Sequence, residues 1–249
     1  MKSVLIAAGG TGGHVFPALA VAYALQERGI EVSWVCSTRG LEEKVVAPHF
    51  SVTYLSISAL RGKGRRGYFS LPFRLCRAVF QAIKAIKQAD PDVVLTMGSF
   101  VSGPTGLAAK LLRVPLIIHE QNAIPGMTNR ILKKMANKVL QAFPDSFLPA
   151  DNVVTVGNPV RSELLAASLN ARVASTEKTG TRILVLGGSQ GAAGINAVVL
   201  SWWKEYGVAN NIELWHQVGV SHHSKMRQQY EAVGKGVRCD AFIDDVSIA

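Results

Sequence analysis

Val4-Leu5-Ile6-Ala7-Ala8-Gly9-Gly10-Thr11-Gly12-Gly13-His14 is a short apolar run that stops on a cluster of glycines. Residues 17–27 follow with helical composition, so the segment reads as strand, loop and helix. The strand signature returns at residues 32–36, 52–55, 93–95, 116–118 and 139–141, and helical stretches separate most of these runs. Parallel strands need crossover connections, so this alternation predicts a parallel sheet wrapped by helices on both faces. In such a sheet, ligands sit at the carboxyl ends of the strands.

The opening pattern occurs twice. Arg182-Ile183-Leu184-Val185-Leu186-Gly187-Gly188-Ser189-Gln190-Gly191 restates it, after a polar stretch of small residues at 166–181. We therefore expect an α/β chain of two Rossmann-like, doubly wound domains facing one another across a cleft. Residues 1–165 form the first, 166–181 a linker and 182–249 the second. Only about three strands are legible after Arg182 (183–186, 212–215 and 237–242), where open sheets of this kind have about five or six. The second domain is expected to be incomplete.

At 249 residues, with 48% hydrophobic and 18% charged side chains, the chain falls among folded globular proteins and exceeds one typical domain. No apolar run approaches the roughly 18 residues of a membrane span, and the apolar opening is too short for a secretory leader. Cys36, Cys76 and Cys239 form no CxxC pair, which points away from a disulfide framework or a zinc site. The formal net charge of +10 is concentrated locally. Arg61, Lys63, Arg65, Arg66, Arg74, Arg77, Lys84 and Lys87 fall in one stretch without an acid.

The first glycine loop lies between strand and helix, where free amides and the helix dipole favour an anion. A dinucleotide-binding fingerprint would add an acid at the end of the second strand. That strand ends Val35-Cys36-Ser37-Thr38, so a dinucleotide-dependent oxidoreductase is disfavoured. The P-loop pattern fails too, since no Gly-Lys-Ser/Thr follows. His14 stands at the helix start, within reach of a bound ligand, and is a candidate base. His119-Glu120-Gln121-Asn122 follows another strand, with side chains expected at the ligand edge. It resembles the start of HExxH, but the second histidine position is Ala123, so zinc hydrolysis is disfavoured. Asp90-Pro91-Asp92 precedes a strand and reads as turn chemistry, away from the site. His222-His223 reads as an exposed pair at a helix start.

Along residues 75–86, Cys76, Val79, Ile83 and Ile86 make an apolar stripe at helical spacing. Arg74, Arg77, Gln81, Lys84 and Gln88 make a second, mostly basic one. Ahead of this helix, residues 61–69 join basic and aromatic side chains, a combination suited to an anionic membrane surface. No recognised nucleic-acid-binding motif accompanies the charge, and no nucleic-acid partner is expected.

Taken together, several motifs resemble the MurG family. They are Gly10-Thr11-Gly12-Gly13-His14 with Pro17-Ala18-Leu19-Ala20, Ser102-Gly103-Pro104, His119-Glu120-Gln121-Asn122, Gly157-Asn158-Pro159-Val160-Arg161 and Gly187-Gly188-Ser189-Gln190-Gly191-Ala192. The resemblance runs through Phe242-Ile243-Asp244-Asp245. It implies a GT-B fold and an inverting, metal-independent hexosyltransferase that needs no cofactor. Such an enzyme moves N-acetylglucosamine from UDP-GlcNAc to the C4 hydroxyl of lipid I, giving lipid II for peptidoglycan.

By the same resemblance, Thr11, Gly12, Gly13, Asn122, Arg161, Ser189 and Ile243 would contact UDP-GlcNAc. Gly10 and Asn129 would lie on the acceptor diphosphate side, and His14 or, second, Glu120 would be the general base. The family is peripheral to the cytoplasmic face of the bacterial inner membrane. Arg61, Lys63, Arg65, Arg66, Phe69, Arg74, Arg77 and Phe80 would make that contact, with cell-wall synthesis and division proteins as further partners. Two departures stand out. Met97-Gly98-Ser99-Phe100 replaces a Gly-Gly-Tyr pattern, so a phenolic hydroxyl is absent. The Ala-Leu-Thr-x-x-Glu segment and later Gln pair of the family do not occur, which leaves a truncated, catalytically impaired chain that only binds membrane or partners as the alternative.

Overall fold

The computed structural model describes residues 1–37, 42–57, 71–162, 164–166, 181–188, 191–207, 212–234 and 236–243. The chain divides into two compact units, residues 1–161 and 162–249.

The first unit begins with β1 (Ser3–Ala7), α1 (Gly12–Gln26), β2 (Glu31–Ser37), α2 (Glu42–Val45) and β3 (Ser51–Leu55). It continues with α3 (Leu71–Ala89), β4 (Val93–Thr96), α4 (Ser102–Leu111), β5 (Leu116–Glu120), α5 (Met127–Leu132), β6 (Lys138–Gln141) and β7 (Val153–Thr155). All seven strands are parallel, in the order β3-β2-β1-β4-β5-β6-β7. The order reverses between β1 and β4, and this switch point is where open sheets of this type bind ligands.

Both faces of this sheet are covered, so its central strands, Ser3–Ala7 and Val93–Thr96, are nearly continuous apolar runs rather than alternating with polar residues. Leu5 and Ala7 of β1 face one core with Ala82, Ala85 and Ile86 of α3 and Ala108 and Ala109 of α4. Val4 and Ile6 face the other, with Val15, Ala18, Leu19 and Ala22 of α1. The spacing of that last set, three or four residues, is the buried stripe of a helix.

In the second unit, β8 (Thr181–Leu186), β9 (Ile212–Gln217) and β10 (Val237–Asp240) form a parallel sheet in the order β10-β9-β8. α6 (Ala193–Trp202), extended by a π-helical turn at Trp203–Gly207, and α7 (His223–Glu231) connect them. Leu200, Trp203, Leu214, Val218, Met226 and Tyr230 form its core.

Four expectations need correction. α1 starts at Gly12 rather than Pro17, so the glycines are its first turn. β10 stops at Asp240 rather than Phe242. In α3 the buried residues are Ala78, Ala82, Ala85 and Ile86, whereas Cys76, placed in the apolar stripe, is exposed. Small side chains let α3 pack closely on α4. Finally, His222 and His223 are half-buried, and His223 Nε2 lies 3.2 Å from the Cys239 carbonyl.

Candidate active site

Ala7 ends β1, and Gly10 turns the chain with φ of 89°. Thr11 precedes α1 in an extended conformation, and its carbonyl accepts from the amides of His14 (3.0 Å) and Val15 (3.1 Å). Gly12 and Gly13 occupy the first two helical positions, where backbone amides have no intrahelical acceptor. An anion is the natural partner for such amides. His14 lies in this turn, and its Nδ1 is 3.0 Å from Thr11 Oγ1. Among the described residues Nε2 has no hydrogen-bond partner.

The neighbouring strand supplies the floor. Gly98, just past β4, has φ of 84° and lies directly under the His14 ring. A Cβ there would be 2.8 Å from His14 Cδ2, 3.0 Å from Nε2 and 3.7 Å from Asn129 Nδ2. Only glycine gives both the positive φ and the room. His14 and Asn129 therefore converge over Gly98, a residue whose role had no separate signal in the sequence beyond standing after a strand.

From β5 comes Glu120, buried at 2% exposure. Its Oε1 accepts from the Asn122 amide (3.0 Å) and Asn122 Nδ2 (2.9 Å). Its Oε2 accepts from the Gly126 amide (3.0 Å) and Asn129 Nδ2 (3.0 Å). Asn129 Nδ2 also reaches the His119 carbonyl at 3.0 Å, while its buried Oδ1 has no partner. Burial pulls the His14 imidazole below its ordinary value, and the Glu120 charge opposes that shift. The ring is thus biased toward its neutral, proton-accepting form.

His119 does something other than expected. Rather than projecting at the ligand edge, it is buried, with Nε2 3.1 Å from the Gly157 carbonyl and Nδ1 3.1 Å from Gln121 Nε2. Burial lowers its basicity too. Asn158 Nδ2 donates to the Gln121 carbonyl at 3.1 Å. His119 and Gln121 thus hold the loop that carries Arg161, whose guanidinium lies 5.0 Å from the Phe16 ring centroid on α1. Asp92 lies at the opposite end of the sheet. Its carboxylate accepts from the Lys2 and Ser3 amides, and these bonds, Lys2 first, hold it below the usual carboxylate range.

In the second unit, the Gly187 amide donates to the Gln217 carbonyl at 2.9 Å, and Gln217 Nε2 bridges the carbonyls of Gly188 and Ala241, both at 2.9 Å. Ile243 is buried within this unit. Ser189 lies outside the described residues, as do Arg61, Lys63, Arg65, Arg66 and Phe69 and nearly all of the expected linker. On α3, Phe73 and Phe80 are 75% and 71% exposed, seven residues apart on one face, with Arg77 exposed between them. No helix among the described residues is long and apolar enough to cross a membrane.

Two Rossmann-like units, each opened by a glycine-rich turn, together with a polar cluster at the switch point, define a glycosyltransferase of the GT-B class. Residues 4–141 match the glycosyltransferase family 28 N-terminal domain and residues 182–248 its C-terminal domain. The chain belongs to the MurG family. It is 48% identical over 247 residues to the UDP-N-acetylglucosamine--N-acetylmuramyl-(pentapeptide) pyrophosphoryl-undecaprenol N-acetylglucosamine transferase of Coxiella burnetii, covering 99% of this chain and 69% of that relative. The transferase of the same name from Shewanella piezotolerans is 43% identical, with 100% and 68% covered. The crystal structure of Acinetobacter baumannii MurG superimposes with a TM-score of 0.71 at 32% identity, covering all of this chain and 68% of that one. A UDP-GlcNAc 2-epimerase from Neisseria meningitidis, 15% identical with a TM-score of 0.64, shares the fold alone.

Proposed function

We propose that this chain is an inverting N-acetylglucosaminyltransferase that moves the sugar of UDP-GlcNAc to the C4 hydroxyl of lipid I, forming lipid II. The observation that carries the reading is the convergence at the switch point. A neutral imidazole with an open Nε2, free helix-start amides and an ordered set of Asn and Glu side chains meet there, in a chain 48% identical to a named transferase. His14 takes the proton from the acceptor hydroxyl as the oxygen attacks the anomeric carbon, and UDP leaves from the opposite face. Attack and departure on opposite faces invert that carbon.

The amides of Gly12 and Gly13, with Thr11 and Gly10, bind phosphate oxygens. Arg161, through its charged fork, and Asn122, Ser189 and Ile243 contribute to donor binding. The domains are assigned as residues 1–165 and 182–249 about a linker at 166–181. Membrane contact is made by Arg74, Arg77 and Phe80 on α3 with Arg61, Lys63, Arg65, Arg66 and Phe69 ahead of it. Phe80 enters the headgroup boundary while the basic groups meet anionic lipid. By this reading the enzyme works at the cytoplasmic face of the membrane that carries its acceptor, beside other proteins of cell-wall synthesis and division.

Sugar transfer from UDP-GlcNAc to a lipid I analogue tests the reaction. Absence of transfer to any such acceptor overturns it. Flotation with vesicles tests the surface, and binding should rise with anionic lipid and fall with salt. Flotation indifferent to both excludes it.

A further inference from the structure

Glu120 is the group in the site whose hydrogen bonding is complete. A carboxylate offers about four acceptor positions, and four N–H groups fill them, two on each oxygen, at 2.9 to 3.0 Å. None of these donors belongs to a ligand. The amides come from the turn after β5, one side chain from that turn and the other from α5. One buried carboxylate therefore ties together the strand end, the turn 122–126 and the helix carrying Asn129.

We propose that Glu120 is a positioning residue rather than a proton acceptor: it clamps Asn122 and Asn129 into place and holds a fixed negative charge against His14. This deepens the reading of the site given above and rests on His14 being the base. Taking a proton from a substrate hydroxyl would require Glu120 to give up an existing bond to Asn122, Gly126 or the buried Asn129. Unpairing the buried Asn129 amide would be costly, and losing the others would release the turn that Glu120 holds.

The clamp has a second effect, on Asn129. With Nδ2 held between the His119 carbonyl and Glu120 Oε2, the amide cannot rotate without losing both bonds. Its Oδ1 is left buried and unpartnered, while the Nδ2 end of the same amide lies near Gly98.

The charged and titratable groups around His14 are few. Glu120 faces it from β5, and Burial and this charge act on its basicity in opposite directions. Arg161 lies over Phe16, two residues along α1 and so on a different side of the helix. The Gly98 turn contributes no charge.

The test is the titration of the His14 imidazole by NMR in the wild-type chain and in Glu120→Gln, alongside the pH profile of kcat/KM for transfer. The substitution keeps the side-chain volume but removes the charge and turns one acceptor into a donor. His14 should titrate at lower pH than in the wild type. The acidic limb of the profile should move down with it, while the plateau falls about 10- to 100-fold as Asn122 and Asn129 lose their anchor. An unmoved His14 titration in folded Glu120→Gln refutes the electrostatic part. A second variant, Asn129→Ala, keeps the proposal open to refutation if Glu120→Gln does not fold. It should raise the KM for the acceptor or lower kcat while leaving the KM for UDP-GlcNAc unchanged, and wild-type acceptor kinetics would refute the clamp. Because the titration is read without turnover, failure of the transfer reading and failure of this one are separable.

Discussion

The two glycine-rich turns look alike as sequence and act differently as structure. At the first, glycine leaves room. The turn bears His14, whose ring rests over Gly98 of the neighbouring strand's turn, and Glu120 and Asn129 approach the same place. At the second, glycine is required by packing. A Cβ on Gly191, whose φ is 74°, would be 2.2 Å from the Val218 carbonyl oxygen and 2.9 Å from His222 Cδ2. The first turn keeps space for reacting groups, while the second brings backbone onto backbone. Substitutions at the first should therefore be read in activity and those at the second in stability.

The largest effect should come from His14→Ala, which is expected to lower transfer about 10²- to 10⁴-fold while leaving thermal unfolding near the wild type. Near-full turnover would remove His14 as the base. Next, Gly191→Ala should destabilise the second unit by about 3 kcal/mol or more, combining left-handed strain with overlap. Denaturant unfolding checks this, and a wild-type midpoint would erase the contrast between the turns.

The third prediction concerns acid. His216 of β9 is buried, with Nδ1 2.7 Å from the Tyr230 hydroxyl, and burial pulls it down from 6.5 to about 4. Between those values the unfolded chain binds a proton that the folded one does not. Stability of the second unit should therefore fall as pH drops from about 6.5 to about 4, by up to about 3 kcal/mol, and level off below. His216→Asn should flatten that dependence in pH-dependent unfolding. The smallest effect is expected from Gly98→Ala, which displaces the His14 ring and should cost about 10²-fold in kcat. An unchanged kcat would mean that the ring's place over Gly98 is unimportant.

Much of this architecture is readable in the residues because parallel strands buried on both faces are short apolar runs, and each carries its own punctuation. β7 is not legible in this way, since Val153-Val154-Thr155 is three residues at a sheet edge with little burial. The start of α1 is hidden in the sequence because glycines read as loop even where they form a first helical turn. In the site, His14, Glu120, Asn122 and Asn129 were legible as polar residues after strands. Their division of labour was not, because it depends on which way each side chain turns. His119 points inward to Gly157 and Glu120 outward to four donors, although the two are adjacent. Gly98 carries no signal beyond standing after a strand, and its contact with His14 joins residues far apart in sequence.

The three thiols differ in a way that offers an experimental handle. Cys36 is buried, and burial, reinforced by Asp240, pushes Cys239 up to about 11. Cys76 is exposed on α3, between the projecting rings of Phe73 and Phe80. A maleimide dye added at neutral pH should therefore couple at one place without any engineered cysteine. Its emission colour would then register whether that helix surface meets water or lipid while the enzyme works.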